Sequence, residues 1–163
     1  MHFIIHTGAM DCGSHFRCRV HPHQADWYRY DKAGFFITAQ VICDLHGRVI
    51  RVDLGMGHNN DQGIFNMTEI GEILEKHNIK ILGDGGYHHY LVVRPDECKS
   101  QAWNNKQKAL RSCVETVIGM SKHWEFAGGK VRINPELHGV GLMIIYFLVA
   151  MRMKQYPLRL TLQ

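Results

Sequence analysis

Asp11 follows the apolar run FIIHTGAM (3–10) and Asp84 follows IKILG (79–83), so each is expected where a strand stops. The two lie 73 residues apart, and Glu115 comes 31 residues after Asp84 in a stretch that reads as helix. Strand ends are where α/β folds place their ligand sites. Three carboxylates drawn together repel one another unless cations neutralise them. Hard oxygen donors of this kind suit Mg²⁺ or Mn²⁺. Two such ions about 3.5–4 Å apart activate a water or a 3′-hydroxyl and stabilise the leaving oxygen of a phosphodiester. Taken singly, the same residues have plainer readings: an Asp at a strand end as a turn or cap residue, a helix Glu as a solvated charge.

The elements that must position these acids follow from periodicity. HFRCRV (15–20) alternates and reads as an extension of the first strand or a second short one; 22–34 reads as a loop. FFITAQVICD (35–44) and RVIRVDLGM (48–56), joined at Leu45-His46-Gly47, form a hairpin. Asp61 begins a helix that carries Ile64, Phe65, Ile70, Ile73 and Leu74 on one face through Lys76. Asp61 reads first as the cap of that helix and otherwise as an acid that supports the metal ligands from behind. Helices are expected over 105–124 and, with Pro135 near its start, over 135–153 as a largely buried element. The order implies a mixed α/β domain without repeats, low-complexity tracts or an interdomain linker, and Trp103 and Trp124 are assigned to its core by default.

The chain has 163 residues, 45% hydrophobic and 21% charged, which suits one globular domain rather than a disordered or fibrous chain. Residues 1–84 hold 8 Lys+Arg against 10 Asp+Glu, a balance of −2. Residues 85–163 hold 11 against 5, a balance of +6, compatible with a polyanionic partner or with a solvated basic surface. Five scattered cysteines without a CxxC argue against a disulfide framework and for a reducing compartment. No leader is expected at the N-terminus. The longest apolar stretch, Val140 to Met151, falls short of the roughly 20 residues that span a bilayer, so no membrane is expected.

The wording of several segments resembles Harbinger/IS5-type DDE transposases and their domesticated nuclease relatives. Gly34-Phe35-Phe36-Ile37-Thr38-Ala39-Gln40-Val41-Ile42-Cys43-Asp44, then Gly47-Arg48, resembles the "GFHSINVQVVCDxxGR" core. Gly57-His58-Asn59-Asn60-Asp61 resembles "GSxHD", with Asn60 where His is usual, and Leu82-Gly83-Asp84-Gly85-Gly86-Tyr87 resembles "LGDSGY". Ala9-Met10-Asp11-Cys12-Gly13 is similar to "xIDGT", with Cys12-Gly13 replacing Gly-Thr. Arg111, Glu115 and Lys122 fit R-x3-E-x6-K of the Y-x2-R-x3-E-x6-K motif, with Lys108 in place of Tyr. The likeness runs from about residue 9 to 153.

The resemblance implies an RNase H-like mixed sheet flanked by helices. It implies Asp11, Asp84 and Glu115 as catalytic metal ligands for Mg²⁺ or Mn²⁺. Arg111 and Lys122 share the Glu115 helix face and are expected to hold nucleic-acid phosphates. Residues 1–163 then form one catalytic domain without the N-terminal helix-turn-helix segment that relatives carry. DNA is the expected substrate, with targeting supplied by a Myb-like or other DNA-binding partner. Oligomerisation is left open, and the nucleus, or else the cytoplasm, is the expected place. Two rival functions stand beside this one: a domesticated, catalytically idle domain that binds DNA or protein, and an RNase H-like nuclease acting on RNA. GDGGY has no Ser at the position of a trypsin-like nucleophile, and no GK[ST] follows to make a phosphate-binding loop. Cys12, Cys18, His21 and His23 do not have zinc-module spacing. His88 and His89 read as loop residues beside the site.

Overall fold

The structure, a computed structural model, describes residues 8–21, 23–96 and 98–159. Its sheet is built from β1 (Ala9–Arg17), β2 (Tyr28–Arg29), β3 (Gly34–Cys43), β4 (Val49–Met56), β5 (Ile81–Leu82) and β6 (Val92–Val93). The helices are α1 (Gln24–Trp27), α2 (Asp61–Met67), α3 (Ile70–His77), α4 (Gln101–Lys122), α5 (Glu125–Gly128) and α6 (Pro135–Gln155). The strand order is β2-β3-β1-β5-β6, with β4 also on β3. β1–β3 and β3–β4 are antiparallel, whereas β1–β5 and β5–β6 are parallel. This is the mixed sheet flanked by helices that the resemblance implies.

β3 is apolar nearly throughout because both of its faces are covered. On one face Ala39, Val41 and Cys43 pack with Val114 and Val117 of α4 and Leu142 and Tyr146 of α6. On the other, Met10 and Ile42 pack with Phe65 of α2 and with Ile70 and Leu74 of α3. A buried polar tie fastens the first layer to the sheet. The His15 ring nitrogens lie 2.9 Å from the Ala127 carbonyl and 3.0 Å from the Tyr146 hydroxyl. Burial holds the His15 pKa down at about 4, so the ring is neutral at physiological pH.

Several boundaries depart from the sequence reading. HFRCRV is continuous with the first strand through Arg17, so Asp11 lies inside β1 rather than past its end. Most of the expected 3–10 strand falls outside the described residues. The single helix expected from Asp61 to Lys76 is two. The Thr68 hydroxyl bonds the Ile64 and Phe65 carbonyls, and Glu69 adopts a left-handed φ of 56°, which ends one helix and starts the next. α4 begins at Gln101 because the Ser100 side chain caps the Trp103 amide. The expected loop 22–34 contains α1 and β2.

α6 is buried along one face only, through His138, Leu142, Ile145, Tyr146, Val149 and Met153. Leu137, Val140, Ile144, Phe147 and Met151 are exposed on it, against the expectation of a largely buried helix. By length and composition it would be able to cross a membrane, but its inner face belongs to the sheet-packed core. Trp124, assigned to the core by default, is half exposed.

The loop from β4 into α2 carries Asp61 and is pinned in place. The His58 amide donates to the Asp26 carbonyl of α1 at 3.1 Å. A Cβ on Gly57 would sit 2.1 Å from the Trp27 carbonyl oxygen and 2.5 Å from that of Phe36. Both atoms are backbone, so neither can swing aside. Gly57→Ala is therefore expected to destabilise the fold by about 2 kcal/mol or more, read as a lower urea midpoint. An unchanged midpoint would show that this loop is not tightly packed.

Candidate metal centre

Register brings the first two acids together. Ala9 of β1 pairs in parallel with Leu82 of β5. Two residues on from each, Asp11 and Asp84 emerge side by side, about one strand spacing of 4.8 Å apart. Asp84 is past the end of β5 and its Oδ1 accepts the Gly86 amide at 2.8 Å, a turn that holds the carboxylate at the sheet edge. The Asp11 Oδ1 accepts the Cys12 amide at 2.8 Å.

Asp61 completes the group. Carboxylate oxygens of Asp11, Asp61 and Asp84 all lie within 4.8 Å of one another. The favoured reading of Asp61 as its helix cap is corrected by the structure. Asn60 is the cap, its Oδ1 accepting the Gly63 amide at 2.8 Å. With that task taken, Asp61 occupies the first helical position and turns its carboxylate to the other two acids. Its sequence signal was the "HD"-like end of Gly57–Asp61, which the cap reading absorbed.

Electrostatics mark the trio as short of positive charge. Burial raises the Asp11 pKa to about 6, opposed by the Arg111 charge and assisted by Asp84 and Asp61. Burial likewise raises that of Asp61, and the Asp84 charge adds to it. Three half-buried oxygen donors from different elements, two of them resisting ionisation, form a donor set that fits a hard divalent cation. Beneath them the Cys12 thiol lies 3.4 Å from the Tyr87 hydroxyl, to which Gln40 Nε2 also donates at 3.4 Å. Burial pushes the Cys12 thiol far up, so it remains protonated and is a poor metal ligand.

Glu115 and Arg111 are placed on α4 above Asp11. One Arg111 nitrogen lies 3.7 Å from Asp11 Oδ2 and 3.0 Å from Glu115 Oε1. The Arg111 side chain is 13% exposed, and its Nε is buried without a hydrogen-bond partner. Glu115, at 47% exposure, is thus connected to the trio through a shared guanidinium rather than by direct approach. Arg111 faces inward, toward the acids. Lys122 is exposed in the last turn of α4, and its charge is felt at Lys32 and His15. His88 and His89 follow the Asp84 turn: His88 Nδ1 is 3.1 Å from Arg94 and His89 Nε2 is 3.3 Å from Glu75. Both are loop residues, as expected.

A family model described as DDE superfamily endonuclease matches residues 10–151, a span that contains every acid of this site. No curated protein and no solved structure matches the chain. The mixed sheet, the helices on both of its faces and the acids at its centre are consistent with the RNase H-like catalytic fold of such nucleases. The match covers most of the sequence, and the chain belongs to the family of DDE superfamily endonucleases.

Proposed function

We propose that this domain is a metal-dependent DNA endonuclease or transposase core of the Harbinger/IS5 type. The observation that carries the reading is the convergence of Asp11, Asp61 and Asp84 at one end of the β1–β5 pair. Asp11, Asp84 and Glu115 would hold the divalent ion or ions, and Asp61, within 4.8 Å of the first two, would join them as a further ligand. Mg²⁺ or Mn²⁺ bound there would supply Lewis-acid activation of the attacking hydroxyl and relief of charge on the leaving oxygen.

The chain's own groups do the positioning. The Asp84 turn and the Asn60 cap fix two carboxylates before any ligand arrives, which lowers the ordering cost of assembling the site. Arg111 neutralises Asp11 and holds Glu115 until a stronger cation competes for both. Glu115 would be the fourth carboxylate for such an ion, and Arg111, once unpaired from it, would be a guanidinium available to phosphate. Residues 1–163 act as one catalytic domain, DNA targeting comes from a Myb-like or other DNA-binding partner, and the nucleus is the place of action.

One feature favours a second reading, a catalytically idle domain that binds DNA or protein. The Arg111–Glu115 pair is closed at 3.0 Å, and a chain that kept it closed would lack its last ligand. Nicking of supercoiled plasmid decides between the two. Wild-type chain with Mn²⁺ is expected to nick, EDTA is expected to stop it, and Asp84→Asn is expected to be inert. Equal activity in wild type and Asp84→Asn contradicts the nuclease reading. Salt-sensitive DNA binding without nicking supports the idle domain.

A further inference from the structure

A cluster of cations stands beside the acids, on the turn between β2 and β3. The Arg29 Nη1 donates to the Ser14 hydroxyl at 3.1 Å, and the Lys32 ammonium donates to the same oxygen at 2.8 Å. Two full charges thus share one neutral acceptor, itself almost completely buried on β1. Asp31 grips the other edge of Arg29, at 3.0 and 3.1 Å, and so aims the remaining nitrogen at Ser14. Among the described residues no carboxylate pairs directly with Lys32. Burial and the Arg29 charge depress the Lys32 ammonium, with the Asp31 and Asp61 charges opposing them and that of Lys122 adding to them. Arg29 and Lys32 act in turn on Asp61, opposing part of the rise that burial and the Asp84 charge cause in its pKa.

With Asp31 engaged on Arg29 and Asp61 turned to the metal centre, Lys32 has a neutral hydroxyl as its direct partner and can take up an anion. From this turn a groove runs to the start of α2, lined by Arg29, Tyr30, His58 and Asn60 and by Asp31, whose carboxylate is engaged by Arg29. Asn60 is the residue before Asp61. Tyr30 stands 87% exposed over the groove, edge-on to Tyr28 at 4.9 Å between ring centres. Cations that track a backbone, together with an exposed aromatic face, are the two elements of a strand-binding groove.

The geometry points to a nucleic-acid strand-binding subsite in which Arg29 and Lys32 hold a backbone phosphate flanking the metal centre and Tyr30 offers a stacking face for a base. This rests on the nuclease reading of the acidic site. It also reassigns work expected of the α4 face. While Arg111 is paired with Asp11 and Glu115, the strand is gripped from the β2–β3 turn.

The test is fluorescence anisotropy of the full chain with a labelled single-stranded DNA oligonucleotide across a salt series. Ca²⁺ replaces Mg²⁺ so that the strand remains intact. Lys32 is exposed, so Lys32→Ala and Lys32→Glu are expected to fold normally. Lys32→Ala should weaken binding several-fold and lower the slope of log affinity against log salt by about 0.7, one single-strand phosphate contact. Lys32→Glu should weaken binding further, and Tyr30→Ala should weaken it with the slope unchanged. Mn²⁺ binding in the absence of DNA should be unchanged in Tyr30→Ala and no weaker in either Lys32 variant, since each removes a cation that acts on Asp61. Wild-type affinity and slope in both Lys32 variants overturn the subsite, as does failure of the wild type to bind the strand. Plasmid nicking with Lys32-independent binding removes this subsite and leaves the nuclease reading. Lys32-dependent binding without nicking removes the nuclease reading and leaves the subsite.

Discussion

Asp61→Asn is expected to lower Mn²⁺-dependent nicking at least a hundredfold, close to the effect of Asp84→Asn. The change keeps size and hydrogen-bonding capacity but removes the negative charge. Replacing a residue that only supports a metal ligand already costs about 10–100-fold, so removing a direct ligand should reach or pass the upper end. A residue whose task was helix capping would behave otherwise. Asn is as good a capping residue as Asp, so stability and activity would both be nearly unchanged. Asn60→Ala supplies the complementary control. It should lower the melting temperature through loss of the 2.8 Å bond to the Gly63 amide while leaving more nicking activity than Asp61→Asn does. Equal activity of Asp61→Asn and wild type would return Asp61 to a purely structural role.

Asp11→Asn should abolish nicking and yet raise the stability of the metal-free protein at neutral pH. Burial lifts the folded-state pKa of Asp11 from 3.8 to about 6. Between those values the folded chain holds a proton that the unfolded chain has lost. Stability from this group is therefore full below about pH 4, declines as pH rises toward 6, and is absent above it. At 1.36 kcal/mol per pKa unit the upper bound is about 3 kcal/mol, and access of water to the 18% exposed side chain reduces it to about 1–2 kcal/mol. Thermal melts at pH 4 and pH 7.5 without metal check the sign. The variant should melt higher than wild type at pH 7.5 and no higher at pH 4. Added Mn²⁺ should reverse the order at pH 7.5, because the metal stabilises only a chain that binds it. A variant less stable than wild type at pH 7.5 without metal contradicts the charge strain assigned to Asp11.

These contrasts show which parts of the site could be read from residues alone. Asp11 and Asp84 were legible because each follows a short apolar run, and a parallel pairing places such residues at one end of the sheet. The register of Ala9 on Leu82 was not legible, since β5 is only two residues long and its pairing is decided by the packing of its neighbours. Asp61 was visible as an acid at a helix start, but local sequence assigns such an acid to capping. Its actual direction depends on Asn60 taking the cap and on Gly57 letting the loop pass between two carbonyls. The i,i+4 spacing of Arg111 and Glu115 gave their ion pair, whereas the reach of Arg111 to Asp11 depends on how α4 lies across β1.

The helices divide in the same way. α4 and α6 were expected over 105–124 and 135–153, and both are present; α4 starts and ends earlier than expected and α6 runs slightly further. The break at Thr68-Glu69 does carry a signal, which the single-helix reading overlooks: Phe65 and Ile70 are five residues apart, neither an i,i+3 nor an i,i+4 spacing. The Thr68 hydroxyl on two preceding carbonyls and the left-handed Glu69 make that shift of face. The outer face of α6 could not be told from its inner face, since both are apolar and only tertiary packing distinguishes them. Arg29 and Lys32 carried no signal at all. They lie in what read as a loop, and their closeness to the acids comes from β2 folding back onto β3.

The central claim is that Asp11, Asp61 and Asp84 bind a divalent cation. Calorimetric titration of Mn²⁺ into the full chain, in two buffers of different ionisation enthalpy, tests it most directly. Wild type should bind Mn²⁺ with proton release at pH 6, where Asp11 is partly protonated, and with little release at pH 8. Asp61→Asn and Asp84→Asn should each lose most of that affinity while remaining folded. Mn²⁺ binding by both variants as tight as by the wild type, or a folded wild type that binds no Mn²⁺, would contradict the account.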